Sequence, residues 1–274
     1  MTTITKLSQS KLNFPIIISL TIIHLGALLA PFTFSWSLLA MTILLHWLTV
    51  GLGITLGFHR LLSHRSFKTP QWVEYVLATL GTLTLQGSPI DWVGIHRLHH
   101  KHSDTIQDPH NSNRGFWWCH LSWILHEPPS QEKIRKLTGD LNDNPYYEFL
   151  HRFFLPLQIL VAVLFYVFAG WGGVVWGVFV RLVLTYHSTW FVNSANHKFG
   201  YRSFDCQDDS VNCWWVAVLT YGEGWHNNHH AYPHSARHGL RWWEIDLTWA
   251  TIKILELFGL ASNIRTCKES IVSN

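Results

Sequence analysis

Three short stretches of this sequence concentrate histidine at spacings that suit metal ligands. They are HRLLSH (59–64), HRLHH (96–100) and GEGWHNNHH (222–230). In the second and third stretches, histidines stand at positions i, i+3 and i+4, which share one face of an α-helix. The chain has 19 histidines but only 17 acidic residues, and neutral imidazole is a ligand for zinc, copper, iron and nickel. The three stretches therefore predict a metal centre.

The number of clustered histidines indicates more than one metal ion. A structural zinc takes four ligands, so eight or nine imidazoles are too many for one ion and suit two. HRLLSH spaces its histidines at i and i+5, so we expect a distortion or a helix end to align these rings. NSANH adds a ninth histidine, with an asparagine four residues before it whose amide could point at the same place. The candidate ligands are His59, His64, His96, His99, His100, His197, His226, His229 and His230, with Asn193 beside them.

Carboxylates near these stretches are candidates to orient the ligating rings through hydrogen bonds. They are Asp91, Asp104, Asp108, Asp208, Asp209 and Glu223. The other ten histidines are expected to be ordinary surface or hydrogen-bonded residues. Among them are His24, His46, His102, His110 and His151. The four cysteines are scattered and predict neither a disulfide framework nor a zinc–thiolate site.

Long apolar segments must position these stretches, and they predict a membrane protein. Only 14% of the residues are charged, against about 25% in average soluble domains. Segments 14–33, 37–57, 153–170 and 174–192 are each about long enough to cross a hydrocarbon core of about 30 Å as a helix. Very short loops join the first to the second and the third to the fourth. The sequence therefore predicts an all-α membrane protein with four transmembrane helices in two hairpins.

The distribution of basic residues predicts how these helices are oriented. Of the 20 lysines and arginines, all but Arg181 lie outside the four segments, and none lies in the two short loops. Because cytoplasmic loops are enriched in Lys and Arg, both termini and the histidine stretches are expected on the cytoplasmic side. We therefore expect one multi-pass membrane domain over 1–274, with a cytoplasmic helical cap made of 58–152 and 193–274. No nucleic-acid partner is expected.

Three shorter apolar segments, 75–90, 211–221 and 242–260, are expected to form buried or membrane-surface helices. The first of them is too short to span a membrane comfortably. The last has the pattern of an amphipathic helix. Its apolar stripe consists of Trp242, Ile245, Trp249 and Ile252.

Together, HRLLSH, HRLHHKHSDTIQDPHN and GEGWHNNHH resemble the three histidine boxes of the membrane fatty-acid desaturases. The similarity is to the Δ9, stearoyl-desaturase-like group, and is closest in kind to bacterial and cyanobacterial acyl-lipid Δ9 desaturases. NSANHKFG is similar to that group's fourth metal-site segment. The order of the motifs, their spacing and the intervening hairpin agree over residues 35–245.

The resemblance implies a di-iron centre held by the nine histidines, with Asn193 acting through a bound water. It implies an oxidoreductase that uses O₂ and two electrons from an external carrier to introduce a cis double bond, at Δ9, into a saturated acyl chain. An unactivated methylene has no acidity for a base to exploit, so the cofactor must carry the oxidation while the protein supplies position and a dry pocket. We expect residues around 75–95 and 174–192 to line the tunnel for the acyl chain.

Two departures from the animal acyl-CoA desaturases bear on the substrate and the electron donor. Where those relatives carry an Arg-Asp pair before the second box, this chain has Gly94 and Ile95, which favours acyl chains esterified to a membrane glycerolipid. Because the chain ends soon after the third box, no fused cytochrome b5 domain is expected. Ferredoxin is the expected external donor, with cytochrome b5 as the lesser option. The basic cytoplasmic surface would suit an acidic ferredoxin or would face anionic lipid.

Three other functions remain open at this point. An acyl-CoA desaturase and a di-iron fatty acyl hydroxylase would use the same boxes, and a histidine-rich metal or proton transporter is the third. A transporter places its ionisable groups near the bilayer midplane, where this chain has few candidates. Those candidates are His24, His46, Arg181 and His187.

Overall fold

The apolar segments of the sequence fold as helices, and no β-strand occurs among residues 11–267, which the computed structural model describes. Polar side chains accept hydrogen bonds from backbone N–H groups at several helix N-termini, for example at Ser35, Ser88 and Asp246. The α-helices of the described residues are α1 (Phe14–Ala27), α2 (Trp36–His46), α3 (Gln71–Thr82), α4 (Pro89–His102), α5 (Phe116–His120), α6 (Gln131–Leu137), α7 (Gly139–Asn142), α8 (Pro145–Val174), α9 (Arg181–Ser194), α10 (Trp214–Leu219), α11 (His226–Ala231) and α12 (Leu247–Leu257).

Helix α2 continues without a break into a π-helix over Trp47–Ser63. A π-helix closes i→i+5 hydrogen bonds and is often found at functional sites. At the end of this segment, the backbone N–H of His64 donates to the carbonyl oxygen of His59 at 3.1 Å. The two rings lie with their centroids 4.9 Å apart. The π-helical end of this segment is therefore the distortion that aligns the two histidines of the first stretch.

Helix α3 packs against the π-helix with backbone close to backbone. A Cβ atom on Gly53 would lie only 2.3 Å from the amide nitrogen of Gly81, and one on Gly81 would lie 2.6 Å from the ring of Phe58, so both positions need a residue without a side chain. Small residues let two helices approach this closely. Of the predicted helical segment 75–90, the part up to Thr82 is helical, and the remainder forms a turn and the start of α4.

Two continuous helical stretches, Trp36–Ser63 and Pro145–His197, are long and apolar enough to cross a membrane. The second stretch breaks at Gly170, whose φ of +61° lies in the left-handed region that favours glycine. After the break, a Cβ atom on Gly177 would lie 2.8 Å from the ring of Phe165, which precedes it. The segments on the two sides of Gly170 therefore lie against each other, as a hairpin requires.

The first apolar segment is helical over a shorter range than 14–33. Helix α1 ends at Ala27, and Ala30–Thr33 forms a separate 3₁₀ turn. Pro31 lies in that turn and has no amide hydrogen with which to continue an α-helix. Helix α1 packs against the π-helical turn Val175–Val180, which leads into α9.

The main apolar core joins the helices that carry the histidines. Buried side chains of the π-helix, α3, α4 and α12 meet there, among them Leu56, Leu77, Ile90 and Ile252. The predicted amphipathic helix over 242–260 is shorter than expected, because Asp246 caps α12 and the helix begins at Leu247. Trp242 and Ile245 therefore precede the helix and are exposed, whereas Trp249 and Ile252 pack on the core.

Candidate metal centre

The nine predicted histidines come together in two adjoining groups. Within each group, the candidate ligand atoms lie within 4.8 Å of one another. The groups adjoin, since the ring centroids of His100 and His230 are 4.7 Å apart across them. Site A consists of His59, His64, His96, His100 and His229. Site B consists of His99, His197, His226 and His230.

Helices α4 and α11 each divide their three histidines between the two sites. In α4, His96 and His100 belong to site A and His99 belongs to site B. With 3.6 residues per turn, positions i+3 and i+4 point about 100° apart, so one helix can serve both sites. In α11 the first and third histidines belong to site B and His229 belongs to site A. The spacing i, i+3 and i+4 predicted that the three histidines of each helix share one face, and in the structure that face borders both sites.

The remaining histidines come from segments that are not α-helical. His59 and His64 stand at the end of the π-helix, and His197 closes the 3₁₀ turn Ala195–His197 that follows α9. Asn193 lies on α9 and lines a large cavity together with His226. Its action through a bound water stays a prediction.

The donor atoms of both sites fit metal ions. Nε2 of His226 and Nε2 of His197 are buried and have no hydrogen-bond partner within the described residues. In site A, the Nε2 atoms of His64 and His96 face each other at 2.7 Å. Buried polar atoms without a partner are costly, and an ion between the rings would satisfy them together. Imidazole sets of this kind suit zinc, copper, iron and nickel.

Carboxylates contact the outer nitrogen, Nδ1, of four of the nine rings. Such contacts fix the tautomer and the orientation of a ligating ring. Asp91 and Asp209 do not take part, since Asp91 contacts His151 and Asp209 accepts a hydrogen bond from Ser112. The pairs are His99 with Asp108 (2.9 Å), His230 with Asp208 (2.7 Å), His197 with Asp104 (3.3 Å) and His59 with Glu223 (2.5 Å).

Glu223 also belongs to a buried ionic network beside site A. Arg60 donates to its Oε1 from Nε (3.1 Å) and Nη2 (2.9 Å), and donates from Nη1 to Asp246 (3.0 Å). His238 places Nδ1 at 3.2 Å from Glu223 Oε2. Burial alone would raise the pKa of Glu223, but Arg60, His59 and His238 together hold that pKa well below its usual value. The carboxylate is therefore ionised at neutral pH.

Among the described residues, a cavity and a separate cleft are lined by different histidines of the two sites. The cavity has a volume of about 1330 Å³ and borders both sites. The cleft has a volume of about 620 Å³ and also borders both sites, through other histidines. The cavity wall combines apolar side chains from several helices, with Ile54, Leu85, Trp92, Tyr186 and Trp190 among them. Parts of the segments 75–95 and 174–192 thus line this cavity, and that it takes the acyl chain stays a prediction. Of the nine candidate ligands, the cavity is lined by His59, His96, His99 and His226. The candidate ligands that line the cleft are His64, His100 and His230.

Residues 16–256 match the sequence pattern of the family described as fatty acid desaturase. The chain belongs to the fatty acid desaturase family. The resemblance stated from the histidine boxes is thereby confirmed, and so is the enzyme class, an oxidoreductase that desaturates fatty acyl chains.

Three cyanobacterial relatives are similar to this desaturase over most of its length. The sn-1 stearoyl-lipid 9-desaturase of Anabaena variabilis is 57% identical, over 89% of this chain and 90% of its own. The enzyme of the same name from Synechocystis sp. is 54% identical, over 97% of this chain and 85% of its own. The sn-2 palmitoyl-lipid 9-desaturase of Nostoc sp. is 53% identical, over 89% of this chain and 87% of its own.

Two histidines that the sequence analysis treated as ordinary stand beside the sites of this desaturase. His110 is buried, its ring centroid lies 4.2 Å from that of His99, and its Nδ1 lies 3.7 Å from Asp108. His238 is buried between Glu223 and His229, with ring centroids 4.5 Å apart in the second pair. The signal for His110 was its place in DPHN, directly after the second box. His238 follows the third box in an irregular segment with no helical spacing to reveal it.

Burial keeps most of the clustered imidazoles neutral. It is the main cause that lowers the pKa of these rings, and neighbouring histidines lower it further. The pKa of His230 falls to about 4, although Asp208 partly opposes the shift. Metal ligation needs the neutral ring. The rings whose pKa lies well below the usual value are His64, His96, His100, His226 and His229.

Proposed function

We propose that this chain is an acyl-lipid Δ9 desaturase that holds one iron ion at site A and one at site B. The observation that carries this proposal is the pair of adjoining imidazole groups at the wall of a largely apolar cavity. The 9-desaturase names of the three cyanobacterial relatives support the position of the double bond and the lipid-bound acyl chain.

The protein's own part in the reaction follows from the geometry of the sites. When bound, the two irons supply the O₂ chemistry that removes two hydrogens from a methylene pair, with two electrons from a carrier and water as co-product. The nine histidines would hold the ions, and the contacting carboxylates would keep the rings in one tautomer. The apolar cavity wall would position the acyl chain and exclude water from the reacting carbons.

The membrane arrangement that we propose is four transmembrane helices in two hairpins, with the histidine sites in a cytoplasmic cap. Large apolar side chains of α1 and α8 are exposed, and such surfaces are stable against lipid. Phe168 is 83% exposed beside the break at Gly170, where a loop at the membrane surface is expected. Both termini are proposed to be cytoplasmic from the distribution of basic residues; residues 1–10 and 268–274 lie outside the described range.

A glycerolipid rather than acyl-CoA is the proposed carrier of the acyl chain. Gly94 lies on α4 against α6, and a Cβ atom there would lie 2.6 Å from Ile134 Cγ2. An arginine, which the animal acyl-CoA desaturases carry before the second box, has no room at this position. Lipid-bound chains are also what the three cyanobacterial relatives are named for.

Ferredoxin is the proposed electron donor, with cytochrome b5 as the lesser option. The support is the net charge of +3 and the concentration of basic residues outside the apolar segments. An acidic ferredoxin would be attracted to such a surface. Activity with purified ferredoxin and with cytochrome b5, compared at low and high ionic strength, would distinguish the two donors.

The experiment that tests the proposal is expression in a host whose lipids contain only saturated chains of known length. We expect a cis Δ9 product in intact glycerolipids, identified by gas chromatography after each lipid class is separated and its double bond is mapped. A hydroxylated chain would identify a hydroxylase, and product confined to the acyl-CoA pool would identify an acyl-CoA desaturase. A host with no altered fatty acid, despite inserted protein carrying two irons, would overturn the proposal.

A further inference from the structure

Arg181 is a buried cation without an acidic partner inside a proposed transmembrane helix. Its side chain is 2% exposed, and within the described residues no carboxylate oxygen lies within 4.0 Å of its guanidinium. Nε donates to the carbonyl of Gly177 at 2.7 Å, and Nη1 donates to the carbonyl of Leu83 at 2.9 Å. Ionisable residues at membrane depth are expensive and usually functional. The contacts of Arg181 therefore need an explanation beyond packing.

The contact with Leu83 caps the C-terminal end of helix α3. The last carbonyl groups of a helix have no partner within it, and they carry a partial negative charge. In the interior, water cannot satisfy them, and side chains from α8 and α9 do so instead. Gln158 donates to the carbonyl of Thr82 at 3.0 Å, Arg181 donates to that of Leu83, and the hydroxyl of Tyr186 lies 3.5 Å from that of Leu85. The guanidinium charge therefore faces the negative end of α3.

The turn that follows this helix end forms part of the cavity wall. Leu85 has a φ of +56°, a conformation that a leucine rarely adopts, so the surrounding contacts must hold it. Leu85, Gln86 and Gly87 line the cavity, whereas Arg181 lies behind them. The next residue, Ser88, caps the N-terminus of α4, which carries the histidines of the second box. The turn thus connects the shape of the cavity to the position of both metal sites.

We propose that Arg181 is a positioning residue that determines which carbons of the acyl chain reach the metal sites. It acts through the Leu83 carbonyl, by fixing the turn Leu83–Gly87 against α9. Without it the turn has more than one conformation, and the acyl chain is held at more than one depth. This inference rests on the proposed desaturase function, and it predicts a change in double-bond position rather than only a loss of rate.

The test compares Arg181→Met, Arg181→Lys and Gln158→Leu with an exposed arginine of α8, Arg152→Met, as the matched control. Each variant is expressed in the saturated host, its iron content is measured, and the double-bond positions of its products are mapped. In Arg181→Met we expect the ratio of the main positional isomer to all others to fall about tenfold or more, which corresponds to losing one hydrogen bond from a charged group. Lysine keeps the charge and one donor, so Arg181→Lys should recover part of the ratio.

The outcomes separate this inference from the proposed function. A wild-type protein without desaturase activity overturns the proposed function before any variant is considered. Arg181→Met and Arg181→Lys enzymes that keep two irons and the wild-type isomer ratio overturn the positioning role, whatever their rate. If the Arg181→Met protein does not accumulate, the isomer ratios of Arg181→Lys and Gln158→Leu test the positioning role instead. Each of these two substitutions weakens one hydrogen bond that caps α3. An Arg152→Met enzyme with a shifted ratio would also contradict the assignment to Arg181.

Discussion

Nδ1 of His59 lies 2.5 Å from one carboxylate oxygen of Glu223, while Arg60, the next residue, binds the other oxygen of that carboxylate. One buried acid thus joins a candidate ligand of site A to a fully buried cation. The backbone turn GEG that precedes the third box delivers this acid. Ligating histidines depend on such partners for orientation and basicity.

Replacing Glu223 with glutamine should weaken site A. The amide keeps the size of the side chain but lacks the negative charge that faces His59 and Arg60, so we expect iron affinity at site A to fall about 10–100-fold. The protein should also be less stable, because a buried cation loses one of its two acidic partners. Iron per chain after dialysis against a chelator, and the midpoint of thermal unfolding, would show both effects. Glu132→Gln, at an exposed position, is the control, and a Glu223→Gln protein that retains both irons would refute the expectation.

Single alanine substitutions in either site should abolish unsaturation while the protein still inserts in the membrane. His96 and His229 are suitable positions because both are candidate ligands of site A and their rings face other imidazoles. Removing one ring leaves an incomplete donor set, and the loss in activity should exceed the about 10–100-fold typical of a residue that only orients a ligand. Product analysis with quantification of the inserted protein measures this. His102→Ala, at the end of the same helix as His96 and in neither site, should remain active; a fully active His96→Ala enzyme would contradict the site assignment.

Much of the candidate centre could be predicted because helical spacing is a local property. Positions i, i+3 and i+4 of α4 and α11 face a common direction whatever else the chain does. The division of these rings between two sites could not be predicted, because it depends on how α4, α11 and the π-helix pack against one another. Those contacts join residues far apart in the chain, as in the 3.1 Å approach of His59 Nε2 to His229 Nε2.

The residues that sequence reasoning missed lie in irregular segments. His110 and His238 have no periodic partner, so only the folded chain brings them beside His99 and Glu223. The predicted end of α1 and the predicted start of α12 were wrong for a related reason. Both flanking segments are apolar enough to be helical, but a 3₁₀ turn follows α1, and Asp246 caps α12 so that the helix begins only at Leu247. The membrane arrangement stays a prediction, although the break near Gly170 agrees with it.

Iron binding at site B should depend on Asp208 more than on any exposed acidic residue near the site. Three of its four histidines contact an aspartate, and Asp208 Oδ2 lies 2.7 Å from His230 Nδ1. In Asp208→Asn we expect iron affinity at site B to fall about 10–100-fold, so that about one iron per chain is lost to a chelator that spares the wild type. Asp205→Asn is the matched control, because this aspartate is close in sequence but fully exposed. Equal iron retention in the two variants would show that the contact with His230 does not support a metal ion.

Zinc should restore the stability of the metal-free enzyme without restoring its activity. The buried, neutral imidazoles accept Zn²⁺ as well as Fe²⁺, and zinc binds such ligands more tightly in the series of divalent metals. Because an ion that binds only the folded state stabilises it, removal of metal should lower the midpoint of thermal unfolding, and either ion should raise it again. Zinc has no redox chemistry with which to activate O₂, so only the iron-loaded protein should desaturate lipid. Thermal unfolding and product analysis on the same apo, zinc-loaded and iron-loaded samples make the test, and desaturation by the zinc-loaded protein, with iron shown to be absent, would refute the need for iron.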